Sequence, residues 1–299
     1  MKELPVLQKN RGINAAIDPR QFVWTENGFE FLRAAVNVDI TDGYRISRRK
    51  GFEYKVLGDA HSIFHDGLYG YCVYEDNLVR LADNLSMLTV RTDIGVSKVR
   101  YAGAGDKVFY SNGTVNGFIH NALDYAWAPG TYAGPDTVHE YVAPPVCKHL
   151  KLHRGRMYLS VGPTLWYTEP LYYLGLNKAE NFISFGSDIR MILSVGRTLF
   201  VADQTTVHAF IGSSPDDFES IPVLNDYVIE DTALTAYSPM ILGKVVPGPV
   251  GLFTTQNAIY AATADGSVSD VTENRLRLPY ANSGNAYLVE NVYTVLIDE

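Results

Sequence analysis

Short β-rich runs joined by turns of two or three residues recur along this 299-residue chain, and that recurrence restricts the fold more than any single motif does. The clearest copies lie between residues 154 and 211. There Arg156-Met157-Tyr158-Leu159-Ser160 is turned by Gly162-Pro163 into Thr164-Leu165-Trp166-Tyr167-Thr168. The same grammar returns as Thr198-Leu199-Phe200-Val201-Ala202, a turn at Asp203-Gln204, and Thr205 to Ile211. Aromatic and β-branched runs around so short a loop signal a β-hairpin. Further copies open at Gly67, Gly105 and Asn257, with turns at Asp76-Asn77, Asn112-Gly113 and Asp265-Gly266. The five starts (67, 105, 155, 196 and 257) are 38, 50, 41 and 61 residues apart. A spacing of about 40–50 residues with several strands per unit is that of propeller blades. The expected fold is all-β: a single β-propeller of about five or six blades over residues 34–299, closed by a C-terminal strand and preceded by an extended N-terminal arm, residues 1–33.

The rest of the chain fits around these units. Pro5 and Pro19 interrupt a polar start, which reads as an arm lying along the body or reaching a neighbour. Ala35-Val36-Asn37-Val38-Asp39-Ile40 alternates apolar and polar residues, Asp42-Gly43 supplies a turn, and Tyr44 to Lys50 returns as a hairpin. Pro129-Gly130, Gly134-Pro135 and Pro144-Pro145 mark residues 125–146 as a connector, and residues 225–248 read as the longest irregular stretch. Val292 to Ile297 is expected to pair beside the hairpin at 35–49 or with the first full unit, because that would remove two open sheet edges. A short helical turn is allowed near Phe29, Phe31 and Leu32, and one turn or two from Leu171 to Ala179.

Composition excludes several function classes. With 46% hydrophobic and 19% charged residues the chain can bury a sizeable core, so wholesale disorder is excluded. A net charge of −8 argues against a protein that wraps duplex nucleic acid, which needs a basic footprint, but not against a surface past which nucleic acid slides. Two cysteines, Cys72 and Cys147, make no disulfide framework and read as small buried hydrophobes. No run approaches the roughly 18 apolar residues of a membrane span, and the first ten residues lack the apolar core of a signal peptide. Synthesis in a bacterial cytoplasm is the simplest expectation. The glycosylation patterns at Asn84 and Asn112 are discounted accordingly.

No catalytic signature emerges. His61/His65 and His149/His153 have i, i+4 spacing, but in strands that places them about 13 Å apart, so they read as exposed or hydrogen-bonded rather than as metal ligands. Gly103-Ala104-Gly105-Asp106 lacks the third glycine and the helix of a dinucleotide fingerprint and reads as a turn. Asp216 and Asp217 sit in a polar hairpin loop, where solvated turn carboxylates are favoured over calcium ligands. Arg45, Arg48, Arg49 and Lys50 read as a charged rim or subunit contact rather than a nucleic-acid grip, since the chain is acidic. Paired acids for glycoside hydrolysis cannot be picked out of 33 Asp and Glu residues. Catalytic residues, metal ligands and cofactors are all expected to be absent. A rival reading takes Trp24, Trp127, Trp166 and the tyrosines as stacking platforms for sugars; another, less favoured, is a propeller hydrolase.

Three stretches resemble the β-propeller structural proteins of tailed-phage virions, including the tail nozzles of short-tailed phages. The first runs from Gly12-Ile13-Asn14 through Ala35-Val36-Asn37-Val38-Asp39-Ile40 to Arg48-Arg49-Lys50-Gly51. The second is the paired hairpins between Gly162 and Val201. The third is Ala258-Ile259-Tyr260 through Asp265-Gly266-Ser267-Val268 to Leu278-Pro279. The likeness is spread over most of the chain in style rather than in strict motif, and it carries no catalytic residues. It implies a virion structural protein in a tail nozzle or tip conduit. The implied partners are other tail proteins (adaptor, portal-proximal or fibre proteins) and copies of itself in a ring, with DNA passing an acidic surface without specific binding. A receptor-binding or glycan-binding tip propeller is the alternative.

Overall fold

The structure is a computed structural model, described for residues 13–16, 18, 32, 34, 38–40, 46–48, 58–129, 140–238, 240–241, 244–272, 275–276, 278–289 and 292–298. The fold is all-β and of β-propeller type. Its unit is a four-stranded antiparallel sheet, present five times among the described residues. Among the described residues there is no α-helix, only a 3-10 turn at Pro215–Asp217. The chain divides into two compact units, one of Val56–Val228 with Ala264–Gly266, the other of Met1–Lys55, Ile229–Thr263 and Ser267–Glu299.

The larger unit holds four consecutive blades. Blade I comprises Ala60–His65, Gly70–Tyr74, Asn77–Leu81 and Met87–Arg91; blade II comprises Arg100–Ala104, Lys107–Ser111, Asn116–His120 and Leu123–Tyr125. Blade III comprises His149–His153, Arg156–Val161, Thr164–Tyr167 and Phe182–Ser184; blade IV comprises Met191–Val195, Thr198–Ala202, Val207–Ile211 and Glu219–Leu224. The hairpins read from the sequence are the second and third strands of these sheets. Their turns close through side chains that mimic backbone. The Asn112 amide oxygen accepts from the Thr114 and Val115 amides at 3.0 and 2.8 Å, and an Asp203 carboxylate oxygen does the same for Thr205 and Thr206 at 2.8 and 2.9 Å. Blade III turns on Gly162 instead, at φ +55°, where a Cβ would be strained.

Strand periodicity explains the core. Successive side chains alternate between the faces of a sheet, and here both faces of the middle strands are buried, so the middle strands read as continuous apolar runs. In blade II, Val108 and Tyr110 pack with Tyr71, Val73 and Leu78 of blade I, while Phe109 between them packs with Leu150, Met157 and Leu159 of blade III. In blade III, Tyr158 points the opposite way from Met157 and Leu159 and joins Leu199, Val201 and Phe210 of blade IV. Cys72 and Cys147 are free thiols buried in this packing, as expected, and burial pushes the Cys147 thiol up to about 12.

The smaller unit carries the fifth sheet, Leu234–Tyr237, Pro249–Thr254, Ile259–Thr263 and Val268–Asp270. Two sequence expectations are corrected here. Residues 225–248 are not irregular throughout, because Leu234–Tyr237 forms the first strand of this sheet and pairs with Pro249–Thr254. The hairpin at 257 is therefore the third and fourth strands, one strand out of phase with the other copies. Second strands begin at Gly70, Lys107, Arg156, Thr198 and Pro249, so the last interval, from 198 to 249, is 51 residues rather than 61. Most of the hairpin at 35–49 foreseen as the neighbour of Val292 to Ile297 lies outside the described residues, and among the described ladders Val292–Asp298 pairs in full register with Ser283–Val289. Only residues 290 and 291 separate the two runs, so local closure costs little chain entropy.

Val38–Ile40 pairs with Ile46–Arg48 as foreseen, while the Asp42-Gly43 turn lies outside the described residues. Of the N-terminal arm, Ile13 bridges Leu32 in parallel and the Ala15 amide donates to the Arg275 carbonyl at 2.8 Å. No helical turn forms at Leu171 to Ala179; the chain turns there through the Glu169–Tyr172 bridge and the short strand Leu176–Asn177.

Candidate functional site

Blade III carries a polar pocket of about 250 Å³ at the mouth of its second and third strands. The antiparallel register brings Arg156, at the start of one strand, to the level of the segment that follows Tyr167 on the next. The long connection to Phe182–Ser184 then returns Glu169, Asn177, Glu180 and Asn181 to the same place, and Tyr141 reaches it because Tyr141–Val142 pairs with Leu176–Asn177. Asp216, from the 3-10 turn in blade IV, completes the lining.

The pocket floor is an interlocked set of hydrogen bonds. One Glu169 oxygen accepts from the Asn181 amide at 2.7 Å and the other lies 3.5 Å from the Arg156 guanidinium, so this buried carboxylate has both oxygens engaged. Arg156 also donates to the Thr168 carbonyl at 2.8 Å and stands 5.5 Å from the centre of the Tyr167 ring. The Tyr167 hydroxyl donates to the Glu180 carbonyl at 3.1 Å, and Asn177 donates to the Glu180 carboxylate at 3.2 Å. Burial, reinforced by the Asp216 charge, raises the Tyr167 hydroxyl above its ordinary pKa. The Arg156–Glu169 pair is internally neutral, which leaves Glu180 and Asp216 as the carboxylates that give the pocket its acidic character. Its lining contains no Ser, Cys or His that could serve as nucleophile or as its base.

The sequence candidates fall elsewhere. His149 and His153 lie on one strand and are not brought together, and the same holds for His61 and His65. The His153 ring bonds Ser194 of blade IV at 2.8 Å, its other nitrogen has no partner among the described residues, and burial with help from Arg154 lowers it to about 4. Among the described residues no group of three or more His, Cys, Asp or Glu is placed to hold a metal ion. Gly105-Asp106 is a hairpin turn, as read. Asp217 accepts from the Ser213 and Ser214 amides and the Ser213 hydroxyl, which holds its carboxyl down to about 2; it caps its own turn. Trp127 is a correction: it is buried against Phe109 at 4.9 Å and donates to the Tyr173 carbonyl at 2.7 Å, so it is core and offers no face to a sugar. Trp166 is half-buried against Phe182 at 5.5 Å. Trp24, Arg45, Arg49 and Lys50 lie outside the described residues, and Arg48 is exposed. No spacing in the sequence announces the blade III pocket, because its residues come from strands and connections far apart in the chain.

No protein-family model matches the chain, and no curated protein sequence does. Solved structures do. The chain is similar to PorZ, a surface component of the type-IX secretion system of Porphyromonas gingivalis, at 11% identity and a TM-score of 0.47, over 80% of this chain and 32% of that one. It is similar to virginiamycin B lyase from Staphylococcus aureus at 11% identity and a TM-score of 0.43, over 81% and 85%. It is similar to the Neurospora crassa Pan2 WD40 domain at 9% identity and a TM-score of 0.42, over 78% and 84%. This chain thus spans about a third of the PorZ chain. No residue role passes from any of them to this protein. Among the described residues no helix is long and apolar enough to cross a membrane.

Proposed function

We propose that this chain is a non-catalytic propeller of a bacteriophage tail, in the nozzle or tip conduit, assembled with copies of itself and with other tail proteins around the DNA exit path. The observation that carries the reading is the way the large unit spends its side chains. Tyrosines and phenylalanines that a binding protein would display are consumed between blades, as with Phe109, Tyr110 and Tyr158, all fully buried. Such packing suits a stiff scaffold under load. The resemblance of the three sequence stretches to phage tail propellers gives it a place, and the −8 charge suits a surface that lets DNA pass without retaining it. The test is cryo-electron microscopy of virions from a phage that carries this gene, with the chain fitted into tail density. Density around the DNA path is expected; absence of the chain from purified particles would sink the reading.

A second reading, a glycan-binding propeller at the tail tip, is favoured by one observation: polar pockets lie between strand ends at the blade margins, including the blade III pocket with its amides, carboxylates and two tyrosines. A glycan screen of the intact protein tests it, with binding to at least one surface polysaccharide as the expected outcome.

A further inference from the structure

A second cavity, of about 620 Å³, opens between blades I and II and is framed by three tight turns. One joins the first two strands of blade I at Asp66–Tyr69, one joins the first two strands of blade II at Gly105–Asp106, and one joins the last two at Asn121–Ala122. Val108 and Ile119, both buried, form the apolar floor. Leu68 and Tyr69 form an exposed lip, at 71% and 37% exposure.

The charges of the lining are unevenly spent. Asp66 accepts from the Leu68 and Tyr69 amides, both at 2.7 Å, and from the Tyr71 hydroxyl at 3.2 Å, so its turn uses it up. Asp106 is held by Lys107 at 2.9 Å and His120 at 3.2 Å. Arg80 differs. It stands directly across the ladder from Tyr71, and its guanidinium lies 4.3 Å from the centre of the Tyr69 ring. It makes no hydrogen bond or ion pair with any described residue, so a half-buried guanidinium with five N–H donors is held in place with no acceptor among the described residues. A guanidinium fixed by stacking loses little freedom on taking a carboxylate in a two-pronged grip.

We propose that this cavity binds a sugar acid, a pyranose unit bearing a carboxylate, as part of a surface polysaccharide. Arg80 takes the carboxylate. Lys107, which uses one of its three N–H donors on Asp106, and the Asn121 amide meet ring hydroxyls. Leu68 and the rim of Tyr69 cover the apolar face of the ring. The volume falls in the range of small-molecule sites, about 300–1,000 Å³. The framing elements are hairpin turns, which offer no unpaired strand edge on which an extended peptide could add, so a compact ring is favoured over an acidic peptide. The proposal rests on the glycan-binding reading and names its ligand class.

The experiment is saturation-transfer NMR and calorimetry on the full chain with methyl glucuronide, the methyl glycoside of a sialic acid, methyl glucoside as the neutral control, and a glutamate-containing tripeptide. At least one acidic sugar is expected to bind at least tenfold more tightly than methyl glucoside, with affinity that falls as salt rises. Arg80→Gln should weaken it at least tenfold, and Arg80→Lys should restore part of the loss. Lys107→Gln, at the half-buried first position of a strand, should weaken it severalfold while leaving the urea midpoint unchanged. Equal binding of neutral and acidic sugars, unaffected at Arg80, would overturn the acid-specific site while leaving the glycan reading intact. Tripeptide binding that depends on Arg80, with no sugar bound, would overturn the saccharide. No binding of any probe to the wild-type chain at tens of millimolar would overturn the site altogether, while the virion location would still be decided by microscopy.

Discussion

The blades of the large unit and the sheet of the small unit are built by the same topology and stabilised by different means. Between blades II and III the core is large and aromatic: Phe109, Phe118 and Trp127 around Leu150, Met157 and Leu159. One apolar cluster of the fifth sheet is Ala236, Val250, Leu252 and Ala261, completed by half-buried Leu234, Val246, Val271, Leu288 and Tyr293, while Phe253 and Ala262 of the same sheet are buried outside it. Two of those, Leu288 and Tyr293, come from the C-terminal hairpin, and Tyr293 is fixed by donating to the Thr232 carbonyl at 2.6 Å and meeting the Thr254 hydroxyl at 2.9 Å. Aromatic volume does between blades II and III what a hairpin lid with a polar anchor does over this cluster of small side chains.

The largest test of that contrast is Phe109→Ala. It empties a site whose ring lies 4.9 Å from Trp127 and 5.6 Å from Phe118, and is expected to cost about 3–5 kcal/mol in urea unfolding. A loss under about 1 kcal/mol would mean that the aromatic core does not carry the large unit. Next is the buried imidazole that joins blades III and IV. His153 falls from 6.5 to about 4 on folding, so the unfolded chain binds a proton between those values that the folded chain refuses. Stability from this group is full above pH 6.5 and is lost as pH falls towards 4, by at most about 3 kcal/mol. Replacing His153 with Gln should flatten the urea midpoint over that window relative to wild type; parallel curves would refute the assignment. Tyr293→Phe removes the polar anchor of the small unit, with an expected cost of about 1–2 kcal/mol. Amide exchange should quicken in Ser283–Val289 and Val292–Asp298 and stay unchanged in blades II and III. The smallest effect is expected at Asn112→Ala, about 1 kcal/mol, from the loss of the turn bonds that close one blade hairpin.

The sequence announced the hairpins because their turns use glycine, Asn or Asp where backbone geometry or turn amides demand them. It concealed the phase of the last copy. Pro247, Gly248 and Pro249 look like a loop, yet Pro249 can open a strand because its missing N–H is not required at that first position. Trp127 shows the same limit: a tryptophan in a proline-rich connector looks displayed, and only the neighbouring Phe109 and the Tyr173 carbonyl reveal it as core. The pockets were not legible at all. Glu169 and Asn181, or Arg80 and Tyr69, are near one another through strand register and turn closure, which leave no fixed interval in the sequence.

In blades I, II and IV each strand hydrogen-bonds to the strand that follows it, and in blade III only the short strand Leu176–Asn177 intervenes, so almost every ladder is closed within a few tens of residues of chain. A ribosome releasing this protein would therefore deliver one finished ladder after another, each early one ready before the next emerges, with little waiting for distant partners. The faces left bare in that interval are the aromatic ones, Phe109 and Tyr158 among them. The hazard during synthesis is the adhesion of one nascent blade to a blade of another chain.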